Sequence, residues 1–342
     1  MAAPLSNGHD PRETLLRLLT AVVGRTRSAC ALDLLWIDPK LGGSADRVTR
    51  AQVAMALNAA LFLDLLDRVP TAARYVESLR EKGETMAFDH GALRTIDGGT
   101  GELPSGCAAF TRFLAPLGYE AAGVYPLPKL KMTGLALVQR DMPESVPQFF
   151  VSELHVRELP EEAQLAAERV FGRSRDPLGP AEWAALEGLD RDGSCATEQA
   201  VAIVRGALRA FGRQHPMPSL ADYETLLRHS KEAAWIATEG NAFNHATTRT
   251  ADVEQLAEDL RKAGYSMKPA VEVSRNGRVR QTAIIADKVC RSFRLSDGSE
   301  IQRKVPGSFY EFITRDIDPA TGMLDLTFDS GNATGIFAVT RE

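Results

Sequence analysis

The sequence is poor in cysteine. Its four cysteines stand singly, form no CxxC pair and fall far short of the density of a disulfide-stapled domain. We therefore expect four reduced thiols, in the core or near the surface: Cys30, Cys107, Cys195 and Cys290.

An excess of positive charge is also missing. The formal net charge is -5 at pH 7, so no overall field attracts a phosphate backbone. We expect no nucleic-acid partner for this protein.

Long apolar runs are scarce as well. The most apolar stretch, AMALNAALFLDLLDRV, is interrupted by Asp64 and Asp67 and is too short and polar to cross a bilayer. The first residues, MAAPLSNGHDPRETLL, lack the basic segment and apolar run of a secretory signal. We expect a cytoplasmic protein with no membrane partner.

What remains is an ordinary globular composition. The chain has 342 residues, of which 44% are hydrophobic, 25% charged and 7% aromatic, as in folded proteins generally. This length accommodates one large domain or two ordinary ones. It permits an enzyme without arguing for one.

Periodicity divides the chain into helical and strand-rich parts. Apolar residues recur every three or four positions between 10 and 80 and again between 160 and 238, which predicts helices. Alternating stretches predict strands: MAFDHGALRTI, KMTGLALVQR, QFFVSELHV, MKPAVEVSR, QTAIIADKV, SFRL, SFYEFITR and LDLTF. We expect an α+β fold with four parts: an N-terminal helical segment (1–84), a first βαβββ-like module (85–159), a helical insertion (160–238), and a second βαβββ-like module with C-terminal strands (239–342).

A weak internal repeat supports two modules. AFDHGALRT at 87–95 shares five of nine residues with AFNHATTRT at 242–250. Each copy is followed by an amphipathic helical stretch ending in Gly-Tyr, at Tyr119 and Tyr265, and then by several strands. The two modules are expected to pair their sheets around a shared cleft.

The repeat carries a histidine and an arginine on one strand face in each copy. Residues two apart in a strand point to the same side, which groups His90 with Arg94 and His245 with Arg249. A lone histidine in a strand is usually a structural residue. Two histidines at equivalent positions of paired modules would instead meet in the cleft.

Glu311 is the candidate third member. It alternates with apolar residues in SFYEFITR, so its carboxylate projects from an apolar face and needs a cation. One solution is an ion pair with Arg or Lys. The other is a divalent metal, since two histidines and one carboxylate form the facial triad of non-haem iron sites.

Four further side chains could act around these three residues. Glu153 and His155 share a face of QFFVSELHV and could join the metal, giving a four-ligand site suited to a lyase or isomerase, or could hold a histidine in the right tautomer. We favour the second role, beside the metal ligands and not as one of them, for Glu153 and His155, and also for Arg249. Arg94 offers a planar fork for a substrate carboxylate, with a salt bridge at the cleft rim as the alternative.

The segments FDHGALRTI, KMTGLALVQ, FFVSEL, NAFNHATTR and GSFYEFITR resemble, in this order over 85–315, the 2-oxoadipate dioxygenase/decarboxylase family, also called hydroxyglutarate synthases. The resemblance implies a vicinal oxygen chelate fold. It also implies an Fe(II)- and dioxygen-dependent conversion of 2-oxoadipate to 2-hydroxyglutarate and CO2 in lysine catabolism. By this resemblance His90, His245 and Glu311 bind iron, and Arg94 holds the distal carboxylate of the substrate.

Two alternatives to this function stay open at this point. One is a metal-dependent glyoxalase-like lyase or isomerase, and the other is a non-catalytic protein that binds a small molecule. The chain is shorter than the best-known family members, which bears on the identity of the substrate.

Overall fold

The structure is a computed structural model that describes residues 10–42 and 46–329. Eleven α-helices occur in this part of the chain: α1 Pro11–Val23, α2 Arg25–Leu34, α3 Arg50–Arg68, α4 Pro70–Lys82, α5 Ala108–Leu114, α6 Glu161–Phe171, α7 Pro180–Asp192, α8 Thr197–Ala210, α9 Leu220–His229, α10 Lys231–Glu239 and α11 Val253–Lys262. The helical predictions for 10–80 and 160–238 are confirmed by α1–α4 and α6–α10.

The same part of the chain holds fourteen strands: β1 Val48–Thr49, β2 Ala87–Asp97, β3 Tyr119–Leu127, β4 Met132–Gln139, β5 Gln148–His155, β6 Ser194–Cys195, β7 Phe243–Arg249, β8 Glu272–Val273, β9 Val279–Ala283, β10 Lys288–Arg294, β11 Glu300–Pro306, β12 Phe309–Arg315, β13 Ile317–Asp318 and β14 Met323–Leu324. Eight of them form one sheet in the order β3-β4-β5-β2-β7-β12-β9-β8. The other six pair two by two, β1 with β6, β10 with β11, and β13 with β14.

Helix α3 is the central helix of the core. Its N-terminus is fixed by a capping box, in which the Thr49 hydroxyl accepts from the Gln52 N–H at 3.3 Å and the Gln52 side chain accepts from the Thr49 N–H at 2.9 Å. Of its 19 residues, 14 are buried, since it packs against α1, α8 and β7. A helix that is apolar on all sides belongs inside a large core. This accounts for the apolar run found in the sequence, and in the described chain no helix is long and apolar enough to span a membrane.

The eight-stranded sheet consists of two similar halves. In the first, β2 leads through α5 to β3, β4 and β5, and β5 returns to lie parallel to β2. In the second, β7 leads through α11 to β8, β9 and β12, and β12 lies parallel to β7. The halves join through the antiparallel pair β2–β7. The α+β fold with paired βαβββ-like units is confirmed, while the four predicted domain boundaries stay a prediction.

A pseudo-twofold axis passes through the middle of the β2–β7 pair. Gly91 and Ala246, which are equivalent in the sequence repeat, lie opposite each other. Gly91 has no space for a side chain, because a Cβ there would lie 2.0 Å from the Phe243 ring. His90 directly precedes Gly91, and His245 directly precedes Ala246. The axis therefore places the two histidines side by side on one face of the sheet.

The second half departs from a simple repeat at two points. A β10–β11 hairpin is inserted between β9 and β12. The predicted LDLTF strand is wrong beyond Leu324, because the following carbonyls accept hydrogen bonds from side chains rather than from a strand: Arg315 binds those of Asp325 and Thr327, and Gln148 that of Leu326. Residues 330–342 of the predicted last module lie outside the described residues.

The cysteine prediction is confirmed. All four are free: Cys30 and Cys107 are partly buried, Cys195 is buried and Cys290 is exposed.

Candidate metal centre

Three adjacent strands bring a possible metal-binding group together. His90 from β2, His245 from β7 and Glu311 from β12 each offer a ligand atom within 4.8 Å of the others. The Nε2 atoms of His90 and His245 lie 3.6 Å and 3.4 Å from Glu311 Oε2. All three residues are at most 3% exposed.

Strand register explains this convergence. Phe309 lies opposite His245, and Glu311 opposite Thr247, in the parallel β7–β12 pair, so these residues point to one face. In the antiparallel β2–β7 pair His90 lies opposite Thr247, with an irregularity between Phe88 and His90 that leaves Asp89 without a partner in the ladder. At this bulge the Asp89 side chain contacts His90, Arg249 and Arg315.

Each histidine is held through Nδ1 by the residue that precedes it. His90 Nδ1 is 2.7 Å from Asp89 Oδ1, the carboxylate-histidine contact that commonly orients a metal ligand. His245 Nδ1 is 2.9 Å from the Asn244 amide nitrogen. A neutral imidazole that binds a metal through Nε2 carries its proton on Nδ1. Metal binding by His245 therefore requires that the Asn244 amide turn its oxygen toward Nδ1.

Thr247 connects two members of the group. Its hydroxyl donates to Glu311 Oε2 at 2.7 Å and lies 3.1 Å from His90 Nε2. Thr247 was not singled out from the sequence, although its position two residues after His245 on the same face could have revealed it.

The local electrostatics separate the two histidines. Burial, aided by the positive charges of Arg94 and Lys268, lowers the pKa of His245 to about 3. Burial also opposes a charge on His90, but the hydrogen bond with Asp89 and the charge of Glu311 outweigh it and raise the pKa of His90. Burial likewise opposes a charge on Glu311, and His245, His90 and Thr247 together lower its pKa nevertheless.

These residues fit a divalent metal. His245 Nε2 and Glu311 Oε1 are buried and have no hydrogen-bond partner in the described part of the chain, which is costly unless another group satisfies them. Two imidazole nitrogens and one carboxylate oxygen suit iron and neighbouring divalent metals, and they leave coordination positions open.

The two arginines of the repeat have different surroundings. Arg249 donates to Asp89 Oδ2 at 2.5 Å, and Arg315 also pairs with Asp89 at 2.9 Å, so both support the carboxylate that holds His90. Arg94 is 1% exposed and its guanidinium lies 4.8 Å from the ring centre of Trp235. The residue equivalent to Asp89 in the second copy is the neutral Asn244, so the two arginines of the repeat differ in their neighbours.

Arg94 also lies on the same face of β2 as His90. It is two residues beyond Ala92, which is opposite His245, a separation of about 7 Å along the strand. Its burial under α10 is incompatible with a salt bridge at an exposed rim.

The structure corrects the predictions for Glu153 and His155. Both are paired with β2 residues, Thr95 and Asp97, that alternate with His90 and Arg94, so they point to the opposite face of the sheet. Glu153 accepts from the Cys107 N–H at 2.8 Å. His155 bonds to Asp97 and Thr133, each at 2.8 Å. Neither can join the metal or orient a histidine.

The segment after β14 forms one wall of the site. The Phe328 ring meets His90 edge-on with 4.9 Å between ring centres and also packs on Phe150. Its N–H donates to the Tyr125 hydroxyl at 3.1 Å. No regular pattern in the sequence predicted this contact.

Fold and site together define a glyoxalase-like protein of the vicinal oxygen chelate type, with a His-His-Glu group at the junction of its two units. The chain belongs to the 2-oxoadipate dioxygenase/decarboxylase family, whose model matches residues 51–321.

Solved structures share this fold. A crystal structure of a protein assigned to the glyoxalase superfamily, from Ralstonia eutropha JMP134, is 48% identical with a TM-score of 0.90 and covers 93% of this chain and 98% of that one. A hydroxyglutarate synthase from Oryza sativa, solved in complex with 2-oxoadipate, shares the fold at 22% identity, with a TM-score of 0.67 and coverage of 86% and 93%.

Curated relatives carry the family name. The 2-oxoadipate dioxygenase/decarboxylase of Oryza sativa subsp. japonica is 25% identical over 278 residues, and that of Mycobacterium tuberculosis strain H37Rv is 27% identical over 240 residues. These alignments cover 74% and 67% of this chain, but only 66% and 57% of the relatives.

Proposed function

We propose that this protein is an Fe(II)-dependent dioxygenase and decarboxylase of a 2-oxo diacid, with 2-oxoadipate as the first candidate substrate and 2-hydroxyglutarate and CO2 as products. The observation that carries the proposal is the buried group of His90, His245 and Glu311 in a member of this family. In the reaction, one 2-oxoadipate and one O2 give one 2-hydroxyglutarate and one CO2, which balances all atoms without a further co-substrate.

The three residues would hold the metal, and Fe(II) bound there would supply the oxygen chemistry. The chain's own residues orient the reactants. Asp89 fixes the ring of His90 through Nδ1, and Thr247 fixes the Glu311 carboxylate. The near-complete burial of the group excludes bulk water from the reacting atoms.

Arg94 would select a diacid. The metal and Arg94 would place positive charge at two separated points of one cleft, and a 2-oxo diacid carries negative charge at both ends. A guanidinium binds a carboxylate through two parallel hydrogen bonds, and the packing of Arg94 on Trp235 fixes its plane. The cytoplasmic location and the role in lysine catabolism belong to the same proposal.

The test is oxygen uptake by protein reconstituted with Fe(II) under anaerobic conditions. We expect uptake with 2-oxoadipate and its diacid homologues, with formation of the corresponding 2-hydroxy diacid. Absence of uptake with every 2-oxo acid would reject the proposal. Turnover that continues without oxygen and with zinc, nickel or cobalt would instead support a lyase or isomerase. A protein that is purified without a bound metal and is inactive with each of these metals would support a non-catalytic binding protein.

A further inference from the structure

A second buried pair of charges faces the same cleft from the other half of the molecule. Lys268, between α11 and β8, donates to Glu272 Oε1 at 2.5 Å, and the two side chains are only 9% and 19% exposed. Neither residue was singled out from the sequence, because the connection before β8 has little strand pattern.

Backbone pairing shows which face these side chains occupy. The Lys268 N–H donates to the Ala283 carbonyl at 2.9 Å, and Ala283 lies opposite Glu311 in the β9–β12 pair. Glu272 lies opposite Gln281, two residues from Ala283. Because paired residues of neighbouring strands point to one side, Lys268 and Glu272 share the face of Glu311.

The charges of this pair and of the metal group act on each other. Burial is the main cause of the low pKa of His245, and the positive charge of Lys268 adds to it. Burial and the negative charge of Glu311 raise the pKa of Glu272 against the effect of its bond to Lys268. The backbone pairing, and not these electrostatic effects, places the ion pair on the face of the metal group.

Stability alone gives a weak reason for such a pair, since the cost of removing two charges from water consumes most of their attraction. A lysine ammonium has three donors. Among the described residues, Glu272 occupies one of them and holds the group in place, so the others can bind an anion that enters the cleft.

We propose that Lys268 is a second anion-binding residue of the site and contacts the carboxylate next to the keto group of the 2-oxo acid. This inference rests on the proposed function. Arg94 approaches from β2 on one side of the metal group, and Lys268 approaches from beyond β12 on the other. The two cations thus bind opposite ends of one diacid.

The experiment compares kcat and KM of Lys268→Met and Lys268→Arg with a diacid, 2-oxoadipate, and a monoacid, 2-oxohexanoate, at equal iron content. Both substrates carry the carboxylate in question. Lys268→Met should raise both KM values by about 10- to 100-fold, as expected for loss of a hydrogen bond to a charged group. Lys268→Arg should retain most of the affinity. Lys262→Met, which changes an exposed lysine of α11, is the control and should have the kcat and KM values of the wild type with both substrates.

KM values within twofold of the wild type for Lys268→Met would overturn the inference, and so would an effect confined to the diacid. If the wild type shows no oxygen uptake with any 2-oxo acid, the proposed function fails separately. In that case calorimetry measures the affinity for oxalate, which imitates the keto-acid end of the substrate. The cobalt-loaded wild type is compared with cobalt-loaded Lys268→Arg and Lys268→Met, and the result tests the role of Lys268. Equal affinity for oxalate in wild type and Lys268→Met contradicts the anion-binding role, and affinity lost in Met but kept in Arg supports it.

Discussion

Replacing Arg94 by methionine tests whether this buried guanidinium selects diacids. The methionine keeps an apolar stem against Trp235 and removes the charge. Because Arg94 is 1% exposed, the distal carboxylate of a bound diacid would lose a buried, hydrogen-bonded partner. Such a loss costs about 2 to 5 kcal/mol, or roughly 30- to several-thousand-fold in kcat/KM.

The assay is oxygen uptake with 2-oxoadipate and with 2-oxohexanoate, which lacks the distal carboxylate. Only the diacid should suffer the full loss, and iron content should stay at the wild-type value. Arg249→Met, at the equivalent position of the repeat, should affect both substrates alike, because Arg249 supports Asp89 rather than substrate. An equal penalty on both substrates for Arg94→Met, with iron retained, would refute the reasoning and leave Arg94 a structural residue.

Three other predictions follow from the same structure. Asp89→Asn should weaken metal binding by about 10- to 100-fold. It should also lower the unfolding free energy by about 3 to 5 kcal/mol, because Arg249 and Arg315 lose their carboxylate partner. Metal titration measures the first effect and urea unfolding the second, and unchanged values would contradict the role of Asp89 in holding His90. Gly91→Ala should destabilise the protein by about 1 to 3 kcal/mol through its clash with Phe243, whereas Gly188→Ala, in a helix with open space, should be neutral or stabilising. Burial opposes a charge on Asp325, but hydrogen bonds from Thr327, Arg278 and Asn276 outweigh it and lower the pKa of this carboxyl to about 2. Its contribution to stability is therefore complete above about pH 4 and is lost as pH falls toward 2. Asp325→Asn should flatten the change of Tm with pH in this window, and an unchanged slope would show that the carboxylate contributes nothing.

The repeat and the two-residue strand period were enough to place His90, His245 and Glu311 together, although their role as metal ligands stays a prediction. The same period failed for Glu153 and His155. It shows which residues of β5 share a face, but the face toward the metal depends on the register between β5 and β2, which the sequence does not contain.

Other parts of the site depend on contacts that leave no periodic signal. Lys268 reaches the cleft from an irregular connection, and Phe328 from a segment whose carbonyls are bound by the Arg315 and Gln148 side chains. Alternation of apolar and polar residues predicted a strand in that segment because it does not distinguish a strand partner from side-chain donors.

The central claim is that one Fe(II) held by His90, His245 and Glu311 makes this protein a 2-oxo acid dioxygenase. Anaerobic titration with Fe(II), followed by oxygen uptake with 2-oxoadipate at each point, tests it most directly. The rate should rise linearly and level off at one iron per chain, with one O2 consumed and one CO2 released per 2-hydroxyglutarate, and Glu311→Gln should show neither tight iron binding nor uptake. Uptake that is independent of iron, or that survives Glu311→Gln undiminished, would contradict the account.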